Sequence, residues 1–199
     1  YDIWRQLGNK GWSWKDVLPY FIKSENQERG KNDYHGDNGP LSVSDPRIKL
    51  DLLERFMDAA EEKGIPKIDD FNKGDNFGCG YFQVTEKNGL RCSAAVGYLN
   101  PIKKRENLKI ETNCHVEKIN FDGTKAVSVS FWKDNESTIV RANKEILLSA
   151  GTIGSAQILQ TSGVGSGEKL SNLGIKMIKD LKGVGQNLQD HLMFRPVYK

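Results

Sequence analysis

No apolar run approaches the roughly 18 residues that a membrane-crossing helix needs, and no basic-then-apolar leader is visible. Cysteine is scarce. Cys79, Cys92 and Cys114 are odd in number and form no Cys-x-x-Cys pair, which argues against a disulfide framework and against a zinc site. A reducing, cytoplasmic setting is the expectation that follows. Charge is balanced, 29 basic against 26 acidic residues for a net +3, with no block of five like charges, so nucleic acid is not an expected partner. The basic cluster Lys103-Lys104-Arg105 has no interleaved aromatics and reads as a solvated face. Neither Ser155 nor Ser162 sits in a Gly-x-Ser-x-Gly elbow, so a hydrolase would lack its nucleophile turn. The acid pairs Asp69-Asp70 and Asp33 with Asp37 lack the alternation of a calcium loop and read as solvated loop acids; no metal ligands are expected.

What is present suits a folded chain. Its 199 residues, 37% hydrophobic and 9% aromatic, suffice for one sizeable core or two small ones. The most informative stretch is Glu145 to Gly165. Ile146, Leu147 and Leu148 form the apolar run of a buried strand, which passes into Gly151-Thr152-Ile153-Gly154 and an amphipathic segment closed by Ser162-Gly163-Val164-Gly165. A strand turning into a helix is predicted, with glycine where a side chain would crowd a ligand. Helix N-termini present unpaired N–H groups and the positive end of the dipole, so a phosphate or other anion can rest over Gly151 to Ser155. The same pattern also serves close packing of strand on helix.

Elsewhere, Ser13 with Asp16 predicts the start of a helix carrying Val17, Leu18 and Phe21, bent at Pro19. Gly39 to Ser44 alternates like a strand. Asp45-Pro46 then predicts the cap of a helix whose Leu50, Leu53, Phe56, Met57 and Ala60 face the core, ended by Gly64. A glycine-rich loop from Asn72 to Gly80 precedes a strand at Tyr81 to Thr85, and Ser93 to Leu99 suits a short helix stopped by Asn100-Pro101. Strand-like runs follow at Lys109 to Ile119, Ala126 to Trp132, Thr138 to Ala142 and Glu145 to Ala150, with turns at Asp122-Gly123 and Asp134-Asn135.

Three motifs carry a family resemblance. Gly151, Thr152, Ser155, Ile158, Leu159, Ser162, Gly163, Val164 and Gly165 resemble the second signature of the glucose-methanol-choline (GMC) flavoprotein oxidoreductases, with Ala156 where Pro or Ser is usual. Gly183-Val184-Gly185-Gln186-Asn187-Leu188-Gln189-Asp190-His191 is similar to that family's GVGxNLQDH segment. Asn88-Gly89-Leu90-Arg91-Cys92-Ser93-Ala94-Ala95 with Tyr98-Leu99 looks like its NGxRxSAA...YL element. The resemblance runs from Tyr1 to Lys199. The family's opening Gly-x-Gly-x-x-Gly turn is not in this sequence, so the resemblance implies an internal segment.

The resemblance implies an α+β fold. Residues 1–103 would belong to an antiparallel-sheet substrate domain with helices, 104–170 to the β-meander and strand-turn-helix of a Rossmann-like FAD-binding domain, and 171–199 to a return into the substrate domain. It implies FAD as cofactor, with Val116, Ala150, Gly151 and Gly154 as cofactor-binding residues; Val116 and Ala150 would lie side by side at the ends of neighbouring strands. It implies a small-molecule alcohol as substrate and an unspecified electron acceptor. Choline dehydrogenase is one alternative within the family, and a non-catalytic remnant of the same fold another.

Oxidising an alcohol needs a base for the hydroxyl proton. Of the three histidines, His35 reads as an exposed loop residue and His115 as a satisfied structural one, while His191 falls in a segment that is a structural hinge in the family. No catalytic residue is therefore assigned within the chain. Members that oxidise choline tend to place a carboxylate about eight residues after the NLQDH histidine; that count reaches Lys199 here, which favours a neutral alcohol.

Overall fold

The computed structural model describes residues 1–197 and divides into two compact units, Tyr1–Ile110 and Glu111–Lys199. Helices and small sheets alternate, an α+β arrangement.

The first unit opens with α1 (Asp2–Gln6) and α2 (Trp14–Ser24). Ser13 and Asp16 form a reciprocal capping box at the start of α2, so the predicted N-terminus is realised; the helix then runs on through Pro19. The Tyr1 ring meets Trp4 and Phe21 edge-to-face and Trp14 at a tilt, and Asp2 accepts the Trp14 N–H at 2.9 Å, joining α1 to α2. Strands β1 (Glu25–Gln27) and β2 (Leu41–Val43) pair in parallel. Their connection passes so close to α2 that only glycine fits. A Cβ on Gly36 would stand 1.8 Å from the Ile22 carbonyl oxygen, and one on Gly39 would stand 2.3 Å from the Ser24 carbonyl carbon.

Helix α3 spans Asp51–Glu62 with Leu50 as its cap, five residues later than a cap at Asp45 predicts. Asp45 has another partner: its carboxylate faces the Arg29 guanidinium at 2.7 Å. The apolar stripe of α3 is not core among the described residues, since Leu53 and Phe56 are about half exposed and no residue of the helix is buried. The strand predicted at Tyr81 to Thr85 is reduced to one bridge between Val84 and Ser44. Gly80 presses on the Ile68 backbone and the Tyr81 hydroxyl accepts the Leu50 N–H, which fixes that segment outside a ladder. A tight hairpin of β3 (Glu86–Lys87) and β4 (Leu90–Arg91) follows, turned by Asn88 and Gly89 at φ 54° and 78°. The unit closes with a π-helical turn at Ala95–Leu99.

The second unit is built on an antiparallel meander of β5 (His115–Asp122), β6 (Lys125–Lys133) and β7 (Glu136–Arg141), in that order. The Asp134-Asn135 turn is realised as predicted, and the Asp122-Gly123 turn is shifted by one residue, since Asp122 still pairs with Lys125. Asp134 and Asn135 adopt φ 51° and 64°, the paired left-handed geometry of a type I′ turn, and Gly123 adopts φ 58°. Strand β5 starts at His115 rather than Lys109.

Helix α4 (Gly151–Thr161), β8 (Val164–Gly165), α5 (Gly167–Asn172) and β9 (Lys179–Asp180) complete the unit, with β8 and β9 parallel. Ile119, Ile158, Val164 and Leu170 form its small apolar core. The C-terminus of α4 closes the open edge of β5. A bulge leaves Glu117 opposite no partner; its carbonyl accepts the Thr161 hydroxyl at 2.8 Å, and the Ile119 N–H donates to Ser162 Oγ at 2.8 Å. With that edge pinned, Glu145 to Ala150 has no ladder partner among the described residues and is not a strand.

Gly163 makes this closure sterically possible. It sits at φ 88°, accepts the Ile178 N–H at 2.7 Å through its carbonyl, and leaves a Cβ only 2.4 Å from the Lys176 oxygen. Gly163→Ala adds left-handed strain to overpacking and is expected to destabilise the unit by about 2–4 kcal/mol, read as a lowered urea midpoint with unchanged slope. A midpoint equal to that of the unmodified protein would contradict this packing.

Candidate functional site

The start of α4 brings three of the four predicted site residues together. Ala150 is the N-cap, Gly151 opens the helix and Gly154 follows within the first turn. Gly151 sits at φ 79°, and a Cβ built there meets nothing within 4 Å. This is an open cradle in which backbone conformation, rather than crowding by the protein, requires glycine. At Gly154 a Cβ would lie 3.3 Å from the Ala150 methyl, so the small residues keep this end slim. Ser155 Oγ accepts the Ala150 N–H at 3.0 Å and anchors the turn from inside the helix. The first turn of α4 carries no acidic residue, so nothing there cancels the positive end of the dipole. Donors, open space and polarity all fit a phosphate-bearing cofactor.

Val116 lies apart from this end. It pairs with Phe131 on β5, the strand tied by Thr161 and Ser162 to the opposite end of α4. The neighbouring-strand arrangement predicted for Val116 and Ala150 is not formed, because Glu145 to Ala150 does not enter a sheet. Two of the sequence motifs do meet. Gln160 on α4 donates to the Val184 carbonyl at 3.0 Å, and Gly185, at φ 74°, leaves room for the Gln160 amide, which would stand 2.5 Å from a Cβ. The third motif packs within the first unit, where buried Cys92 accepts the Ser42 N–H and a Cβ on Gly97 would stand 2.8 Å from the Pro40 oxygen.

The histidines depart from expectation. His115 opens β5 and is exposed. His191 is exposed, with its own N–H on Asp190 at 2.7 Å. His35, read as an exposed loop residue, is 4% exposed and lies between two carboxylates: Nδ1 is 2.7 Å from Glu25 Oε2 and Nε2 is 2.9 Å from Asp70 Oδ2. Asp70, read as a solvated loop acid, is accordingly buried. The partners stand 10 and 35 residues away in the chain, so no local pattern marks the cluster. It borders a cavity of about 540 Å3 whose walls include Trp14, Phe21, Tyr34, Phe71 and Asn72. No group of three metal-ligating side chains is found among the described residues, and no described helix is long and apolar enough to cross a membrane.

Known proteins match this arrangement along nearly its whole length. The family model for GMC oxidoreductase matches residues 1–193. The chain is 44% identical over 196 residues to an oxygen-dependent choline dehydrogenase of Pectobacterium atrosepticum, covering 96% of this chain and 35% of that protein. It is 41% identical over 192 residues to the mitochondrial choline dehydrogenase of Homo sapiens, covering 96% and 32%. Among solved structures, an FAD-dependent oxidoreductase from Chaetomium thermophilum matches with a TM-score of 0.87 at 37% identity, covering 96% of this chain and 35% of that one. The chain thus spans about a third of the length of these relatives. With the glycine turn of α4 and the motif that docks on Gln160 both inside the matched span, the chain belongs to the GMC oxidoreductase family.

Proposed function

We propose that this chain is part of an FAD-dependent oxidoreductase that oxidises the CH–OH group of a small alcohol. The observation that carries the reading is the GMC oxidoreductase match over residues 1–193, which takes in the open glycine turn at Gly151. When bound, FAD supplies the hydride acceptor for the substrate carbon. The chain's own part is to bind and orient. The first turn of α4 offers backbone N–H groups to the cofactor's phosphates, Gly151 and Gly154 keep side chains out of their path, Ala150 presents its backbone beside them, and Val116 would offer its backbone to the cofactor from β5, apart from this turn. None of these four residues titrates, so the hydroxyl proton is taken by a base outside this set.

In the same proposal residues 1–103 and 171–199 form the substrate side and 104–170 the flavin side. The three free cysteines support a reducing, cytoplasmic location. A second reading, choline as the alcohol, is favoured by 44% identity to a choline dehydrogenase. The contrary expectation of a neutral alcohol rests on Lys199, which lies outside the described residues.

Two measurements on the longer polypeptide carrying this segment test these statements. Gly151→Asp places a carboxylate and left-handed strain at the proposed phosphate seat, and is expected to lower flavin affinity by about tenfold or more; Gly151→Ala separates strain from charge. Unchanged flavin content in the aspartate variant would remove Gly151 from the site. Turnover of choline against its neutral isostere, with a quaternary carbon in place of nitrogen, decides the substrate charge. A kcat/KM at least about tenfold higher for choline, a difference of about 1.4 kcal/mol, supports the second reading, and the reverse order supports the neutral alcohol.

A further inference from the structure

The Glu25–His35–Asp70 cluster has no part in the flavin reading and lies wholly within the first unit. A neutral imidazole carries one N–H and one bare lone pair; only the doubly protonated ring donates from both nitrogens. With carboxylate oxygens at 2.7 and 2.9 Å on its two sides, a neutral His35 would set a lone pair against one of them. Other donors already engage the two acids. Glu25 Oε2 also accepts the Gly36 N–H at 3.3 Å, Glu25 Oε1 accepts from the Gln27 amide at 3.5 Å, and Asp70 Oδ1 accepts the Asn72 N–H at 2.8 Å.

The cluster joins three segments that sequence keeps apart: β1 through Glu25, the tight connection to β2 through His35, and the loop from Pro66 to Gly80 through Asp70. That loop is a compact piece of backbone. Ile68 donates to Cys79 at 2.9 Å and Cys79 to Pro66 at 2.8 Å, so a pull on Asp70 is carried to Phe71 and Asn72, which wall the neighbouring cavity. Other charged groups around this region include Arg29, which follows β1 and reaches the Asp69 carbonyl, its partner Asp45 after β2, Lys73, paired with Asp69 on the loop itself, and, on the same loop, Lys67, paired with Asp58, and Asp75, which accepts the Phe77 N–H.

We propose that the proton which makes His35 a double donor is a clasp: it holds the Pro66-to-Gly80 loop on β1, and its loss lets the loop and the cavity wall open. Burial alone would drive the proton off. The hydrogen bond and charge of Glu25, followed by those of Asp70, outweigh burial and raise the His35 pKa above its ordinary 6.5. The sign follows from linkage. A folded-state pKa raised above the unfolded value gives a contribution fully present below about 6.5 and lost as pH rises through the raised value. While the ring is charged in the closed form and neutral in the open one, each pH unit weakens closure by a factor approaching ten.

Two readouts on the intact protein test this, neither of which depends on flavin or turnover. Nitrogen-labelled histidine NMR is expected to show both His35 ring nitrogens protonated at neutral pH. Amide hydrogen exchange at Asn72 and Cys79 is expected to rise with pH more steeply than the intrinsic base-catalysed rate, by up to a further factor of ten per unit. Asp70→Asn supplies an amide that donates to a neutral ring, so the extra steepness should vanish while the loop stays protected. The proposal is overturned if His35 carries one ring proton at neutral pH, or if exchange follows the intrinsic rate alone. Equal extra steepness in Asp70→Asn also overturns it. Should that variant fail to fold, the protonation state of His35 in the unmodified protein decides. Flavin binding and choline turnover report on the functional reading separately, so failure of the clasp leaves that reading standing.

Discussion

His35 lies between Glu25 and Asp70 in a unit whose buried side chains are mostly polar: Gln27, Ser44 and Asp70 accompany it, with Cys92 as the buried apolar residue among those described. Two carboxylates taken out of water near each other are costly unless charge and hydrogen bonds compensate them, and removing one partner from such a set typically costs about 3–5 kcal/mol. The rest of the first unit is arranged around that requirement. Gly36 and Gly39 let the connection after β1 run against the end of α2 closely enough for the imidazole to reach both acids, and Asn72 caps the carboxylate of Asp70. Arg29 performs a related task beside it, its charge strengthened by the hydrogen bond to Asp45 and extended to the Asp69 carbonyl.

The second unit solves a different problem. A three-stranded meander leaves β5 with unpaired backbone groups along one edge, and the hydroxyls of Thr161 and Ser162 take the place of a further strand. This couples the two ends of α4. Its C-terminus is fixed to the sheet, so its N-terminus, with Gly151 open to solvent, points away from the contact that holds it. The proposed cofactor seat is therefore set by a helix whose far end is anchored by side-chain hydrogen bonds and by the close packing of Gly163.

Local chemistry was legible in the sequence wherever one short segment decides the outcome. Ser13 with Asp16 marks a helix start, Asp134-Asn135 marks a hairpin, and Gly151 to Gly154 marks a helix opening, each because the residue types themselves satisfy the backbone there. Non-local competition was not legible. Asp45 has the form of a cap, yet its carboxylate faces Arg29 from 16 residues earlier. Asp70 looks like a solvated acid until His35 arrives from 35 residues away. The runs around Leu53 and Leu147 have the pattern of core elements, yet the described residues provide no surface to cover them, so Leu147 is 81% exposed. Of the candidate site, the three residues at the start of α4 were readable as one cluster, whereas Val116 sits on β5 beside the bulge at Glu117, apart from that cluster.

The family match covers nearly the whole chain but about a third of its relatives, which agrees with the large apolar side chains left exposed among the described residues. Such exposure is expected of a piece that shares its core with other segments. Quantifying flavin released on denaturation of the longer polypeptide, purified without added cofactor, is the most direct test of the central claim. Stoichiometric FAD is the predicted result. A protein that folds and carries none, even after incubation with excess FAD, would contradict the account.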